Sequence, residues 1–129
     1  MAAQSRLGSA KLMAFVSTSN PDKARVFYRD TLGLPLVTED EFALTFDSNG
    51  TTLRVSRVEK VVVAGYTVLG WQVPDIDSKA KELAKAGIVF ERYPFLTQDE
   101  IGVWTAPGGA KVAWFKDPDH NLLSIAQMP

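Results

Sequence analysis

Apolar and polar positions along this chain alternate with two different periods, and the switches between them mark its elements. Residues 11–18 are mainly apolar and stop at Ser19-Asn20-Pro21-Asp22. Ser19 is placed to cap a helix, Pro21 suits its first turn, and Asp22 completes a spacing like that of a capping box. Ala24, Phe27, Tyr28 and Leu32 then recur at helical spacing, and Gly33 can take the left-handed conformation that ends a helix. After it come short β-rich runs at 34–38, 42–46 and 51–56. The turn Asp47-Ser48-Asn49-Gly50 between the last two predicts an antiparallel hairpin.

The second half repeats this order. A strand is predicted over 67–73, and Asp75 caps a helix to about Lys85 with Ile76, Ala80, Leu83 and Ala84 on its inner side; Gly87 ends it. Strands follow at 88–92, around 103–105, at 111–116 and at 122–126, with Pro107-Gly108-Gly109 and an aspartate-rich turn between them. A repeat of roughly 60 residues is too long for a solenoid and suits a duplicated α+β module. The expected architecture is a single domain, 1–129, of two tandem βαβββ modules, about 10–60 and about 65–127, joined by the segment 57–64.

Composition narrows the function. The chain has 129 residues, 46% of them hydrophobic, enough for one compact core. Fourteen Lys and Arg nearly balance fifteen Asp and Glu, so the net charge of -1 provides no field for nucleic acid or an anionic membrane. Without cysteine there is no thiol nucleophile or thiolate metal site, and a triad or histidine cluster would rest on His120 alone. The apolar run Val61-Val62-Val63-Ala64 is far too short to span a bilayer, and a cytoplasmic protein is expected.

Three stretches carry a family resemblance. Residues 19–34, with Phe27-Tyr28 and Leu32-Gly33-Leu34, resemble the first strand-to-helix junction and helix of the vicinal oxygen chelate superfamily, which includes glyoxalases, bleomycin-resistance proteins and extradiol dioxygenases. Gly70-Trp71-Gln72-Val73-Pro74-Asp75-Ile76-Asp77 resembles the matching junction of the second module, and 113–125 resembles the closing hairpin. The resemblance implies α+β modules whose mixed sheets form open cups with helices on the outer face, closing around a site lined by alternate residues. Alternation then puts Leu69, Trp71, Val73, Leu123 and Ile125 in the core, and Val68, Gly70, Gln72, Leu122, Ser124 and Ala126 in the cup. In the first module Met13, Phe15 and Ser17 share the cup side with Thr52, Arg54 and Ser56.

The resemblance also implies four metal-ligand positions, here Met13, Arg54, Val68 and Ser124. None suits a hard divalent ion, which takes carboxylates or imidazoles, and Arg54 would repel one. A site without metal or other cofactor is therefore expected. Arg54 has two readings: an anchor holding a carboxylate, phosphate or phenolate, or an ion pair at a surface or interface. Gln72 and Ser124 either orient a ligand or satisfy local groups. Of the aromatic residues crowding the second module, Phe90, Tyr93, Phe95, Trp104, Trp114 and Phe115, only some fit beneath one helix. Phe95 and Trp104 flank the irregular stretch 94–102 and are the preferred pocket residues. His120, where the family usually has glycine, is expected to face solvent in a turn shaped by Asp117, Pro118, Asp119 and Asn121.

The candidate ligand-binding set is thus Met13, Phe15, Arg54, Val68, Gln72, Phe95, Trp104 and Ser124, with no catalytic residue assigned. The leading expectation is a metal-free protein sequestering a partly aromatic, neutral or anionic small molecule, like the drug-binding branch of the superfamily. The resemblance further implies a homodimer. The alternatives are a lyase, isomerase or dioxygenase with non-standard metal or acid-base groups, and an interaction module whose cups are filled by its own side chains.

Overall fold

The computed structural model describes residues 6–129. The first module runs β1 (Met13–Thr18), α1 (Pro21–Arg25), β2 (Leu36–Glu39), β3 (Ala43–Ser48) and β4 (Thr51–Arg57); α1 widens into a π-helical segment, Val26–Thr31, before Gly33 turns the chain at φ 78°. The second runs β5 (Leu69–Gln72), α2 (Ile76–Lys85), β6 (Trp104–Thr105), β7 (Lys111–Lys116) and β8 (Leu122–Gln127). Each module builds a four-stranded mixed sheet of the same order, β1-β4-β3-β2 and β5-β8-β7-β6, with the first and last strands parallel. The Asn49-Gly50 turn has positive φ at both centres, 50° and 90°, the geometry whose twist matches a two-residue hairpin.

Each sheet gives one face to a shared core. Val16, Leu44, Phe46, Leu53 and Val55 from the first meet Ala113, Phe115, Leu123 and Ile125 from the second, with Ala24, Tyr28, Ile76, Ala80 and Leu83 of the helices packed among them. The rings of Phe27 and Phe115, one from each module, lie 6.4 Å apart. The helices therefore cover one face of each sheet, as expected, but those faces share a single interior. Leu69, Trp71 and Val73 join its margin half-buried.

A polar network locks the modules at one end. The buried Tyr28 hydroxyl donates to Asp117 Oδ2 at 2.6 Å, and Asp117 Oδ1 accepts the backbone N–H groups of Asp119 and Asn121, each at 2.9 Å. The Asn121 amide donates to Asp117 Oδ2 at 2.8 Å and to the Ser17 carbonyl at 2.9 Å. Asp119 accepts from the Thr18 hydroxyl and from both the N–H and the hydroxyl of Ser19. Burial, with the Asp117 charge and hydrogen bond behind it, pushes the Tyr28 phenol far above its ordinary range. The aspartate-rich turn shapes itself and also seals the end of β1.

Four details depart from the sequence-based expectations. Asn20 caps α1, its Oδ1 accepting from Lys23 N–H at 3.2 Å, because the Ser19 hydroxyl is taken by Asp119. Asp22 pairs instead with Arg25. Ala84 is exposed, since the buried stripe of α2 follows Ile76, Ala80 and Leu83. Residues 88–92 form no strand: Glu91 N–H reaches the Trp114 carbonyl at 2.8 Å, and the Gln98 side chain takes up the neighbouring backbone groups in place of a ladder.

Candidate functional site

The faces turned away from the core carry the candidate residues in two groups. On the first sheet the register pairs Met13 with Thr52 and Phe15 with Arg54, and puts Thr45 on the other side of Arg54. Strand alternation forces this, because Val16, Leu53 and Val55 point into the core. Met13 and Phe15 are left 47% and 57% exposed, an apolar surface beside a cation.

Arg54 is half-buried, and its guanidinium makes no hydrogen bond or ion pair among the described residues. Other arginines are engaged: Arg25 bridges Asp22 and Glu39, Arg29 holds Asp30, Arg57 donates to the Asp40 carbonyl, and Arg92 donates to the carbonyls of Asp99 and Glu100. The Asp40 carboxyl is held below its usual range by the N–H groups of Phe42 and Ala43, with Arg54 and Arg57 adding to the effect. An unpaired guanidinium on a partly apolar face is a ready receptor for a carboxylate, phosphate or phenolate.

The matching face of the second sheet is aromatic. Trp114 pairs with Ser124, which pairs with Gly70, while Trp104 pairs with Val112, so these positions share one side. The Trp104 and Trp114 rings lie 6.0 Å apart, Tyr93 meets Trp114 edge-on at 5.5 Å, and Phe95 lies 5.5 Å from Tyr93. Ser124 is 8% exposed, and a Cβ at position 70 would stand 2.7 Å from its hydroxyl oxygen, so any larger residue there would force the hydroxyl to shift. Among the described residues that hydroxyl has no protein hydrogen-bond partner. Val68, 39% exposed, extends the same face, its N–H donating to the Leu122 carbonyl at 3.0 Å.

Phe95 and Trp104 border one open depression of about 790 Å³ beside Lys111 and the 94–102 loop. Two side chains build that loop. Gln98 donates to the carbonyls of Glu91 and Gly102, at 2.9 and 2.8 Å, and accepts Tyr93 N–H at 2.8 Å. Asp99 accepts the N–H groups of Ile101, Gly102 and Val103; burial alone would raise its carboxyl, but the N–H groups of Val103, Gly102 and Ile101 outweigh it and hold the group low. Tyr93 is pushed upward by burial and by Glu91.

Met13, Phe15 and Arg54 thus meet on one sheet, and Val68, Ser124, Trp104 and Phe95 gather on the other. Gln72 is exposed at the end of the edge strand β5, in register with Ala126, where it also borders the cleft between the modules. Sequence reasoning had Tyr93 and Trp114 only as members of an aromatic set. The Ala113/Phe115 alternation was the signal that turns Trp114 outward, whereas nothing local marked Gln98 and Asp99 as the builders of the loop.

A metal fits none of this. A thioether, a guanidinium, an isopropyl group and a neutral hydroxyl occupy the four positions that the sequence resemblance implies for ligands, divided between two sheets. Among the described residues no three His, Asp or Glu side chains cluster closely enough to hold an ion.

Comparison with known proteins agrees with the fold. Residues 12–125 match the family described as Glyoxalase/Bleomycin resistance protein/Dioxygenase superfamily. Uncharacterized protein YraH of Bacillus subtilis (strain 168) is 33% identical over 122 residues, covering 82% of this chain and 88% of the relative. Among solved structures, a lactoylglutathione lyase from Agrobacterium tumefaciens superposes with a TM-score of 0.71 at 17% identity, covering 92% of this chain and 93% of its own. A glyoxalase/bleomycin resistance protein/dioxygenase from Alicyclobacillus acidocaldarius gives 0.70 at 22% identity, covering 92% and 91%. At such identities the likeness speaks for the fold alone.

Proposed function

The chain belongs to the Glyoxalase/Bleomycin resistance protein/Dioxygenase superfamily, and from that premise we propose that it is a metal-free binding protein for a partly aromatic, anionic or neutral small molecule. The observation that carries this reading is the unpaired Arg54 on one open face set against the Tyr93, Phe95, Trp104 and Trp114 wall on the other. Stacking takes the planar body of a ligand and the guanidinium takes its negative end. The Ser124 hydroxyl supplies a further hydrogen bond. Sequestration of this kind needs no metal, which accords with the donor set.

The two groups lie on different sheets of one chain, so a complete site takes a second copy. Laying the first sheet of one chain over the second sheet of its partner covers Met13, Phe15, Val68 and Phe95 together, and two-fold symmetry makes two equivalent sites. Protein purified without added metal should contain no stoichiometric Zn, Ni, Mn or Fe. It should also show a raised melting midpoint with aromatic carboxylates, in the presence of a chelator as in its absence. Stoichiometric metal, lost together with an enzymatic activity on chelation, would instead identify a metalloenzyme.

A further inference from the structure

The modules meet tightly at one end and loosely at the other. The Tyr28–Asp117 and Ser19–Asp119 bonds close the tight end. At the opposite end a cavity of about 480 Å³ opens beside the β3–β4 hairpin tip and the end of β5, walled by Leu32, Leu34, Trp71, Val73, Leu83 and Phe115. Four of these, Leu32, Leu34, Trp71 and Val73, are only half-buried, so the apolar wall stays accessible to solvent. Protein interiors ordinarily close to crystal-like density, and an apolar cleft of this size with a few polar groups has the character of a small-molecule site.

The polar groups at the rim define the chemistry of the occupant. Trp71 Nε1 donates to Ser48 Oγ at 2.9 Å, bridging the modules, and the Ser48 hydroxyl proton remains available to an acceptor. Lys79 pairs with Glu82 at 2.6 Å, and Asp47 accepts Gly50 N–H at 3.2 Å within its own turn. The rim therefore offers hydrogen bonding without an unmatched cation, unlike the Arg54 face.

We propose that the inter-module cleft is a binding site, separate from the two open faces, for a neutral ring compound bearing a carbonyl oxygen. The ring packs against Trp71, Leu34 and Leu83, and the oxygen accepts from Ser48. Prodan, a neutral naphthalene ketone whose emission shifts to the blue in apolar surroundings, is the probe. The intact protein should give blue-shifted prodan emission that saturates. Leu34→Trp and Val73→Phe, which fill the cleft, should each weaken binding at least about tenfold, and Ser48→Ala about threefold, the range of one neutral hydrogen bond. Lys60→Ala, on the exposed linker outside both sites, should leave it unchanged. Circular dichroism checks that each variant is folded, and Ser48→Ala, altering one hydroxyl, keeps the test open if a filling variant is not. No saturable shift in the intact protein overturns the proposal, as does binding that survives the folded cleft variants.

Discussion

The two modules have the same strand order, the same parallel pairing and the same helix placement, yet their open faces differ in kind. The first presents Arg54 between Phe15 and Thr45, and the second presents rings around a serine hydroxyl. The backbone plan depends on alternation and turns, which many side chains satisfy; the open face is free of that constraint and can diverge. One half brings charge and the other brings stacking surface. The guanidinium and the ring cluster are separated within one chain, which is what calls for a second copy in the proposed site.

The largest expected effect comes from cutting the link between the halves. Asp117→Ala removes the acceptor for Tyr28, for two backbone N–H groups and for the Asn121 amide, leaving buried donors unpaired, and should cost about 3–5 kcal/mol in denaturant unfolding. Alkali acts on the same link. The Tyr28 phenol is raised in the folded state, so its contribution is full below the ordinary tyrosine value near pH ~10 and declines above it, as the unfolded chain ionises first. Tyr28→Phe should flatten that loss in a pH series, and an unchanged slope would remove Tyr28 from the account.

Next in size is Arg54→Ala. It should weaken an aromatic carboxylate by about 1.5–3 kcal/mol and leave the amide of the same compound nearly unaffected, measured by calorimetric titration. Equal losses for both would make Arg54 a packing residue. In the second module, Gly70→Ala brings a methyl within 2.7 Å of the Ser124 hydroxyl and should destabilise by about 1–2 kcal/mol; Ser124→Gly in the same chain should recover most of it. Smallest is His120→Gly. His120 is exposed at φ 69°, a left-handed conformation that costs a side chain about 1 kcal/mol, so glycine should raise stability by at most that amount in thermal unfolding.

The repeat, the helix-ending glycines, the Asn49-Gly50 hairpin and the two faces of each sheet were legible because each follows from local spacing. Asp75 caps α2 as expected, accepting Ser78 N–H at 3.3 Å. The capping role of Ser19 was misread because its competitor, Asp119, stands 100 residues away in sequence. The strand at 88–92 failed for a similar reason, since its β-rich composition says nothing of the Gln98 amide that replaces a ladder. For the candidate site, alternation supplied Met13, Phe15, Arg54 and Ser124 as face residues. The gathering of Tyr93 and Phe95 onto Trp114 depends on the path of a loop, which periodicity does not encode.

The central claim is a metal-free site that draws its charge from one chain and its aromatic wall from another. Its most direct test is to refold Arg54→Ala and Trp114→Ala chains together and titrate the mixture with anilinonaphthalene sulfonate, an anionic aromatic probe, in the presence of a chelator. Each variant alone should bind weakly at best. The mixture should recover tight binding, because one of the two sites in a mixed dimer combines an intact Arg54 with an intact Trp114. No recovery in dimers shown to be mixed, or binding that returns only when a divalent metal is added, would contradict the account.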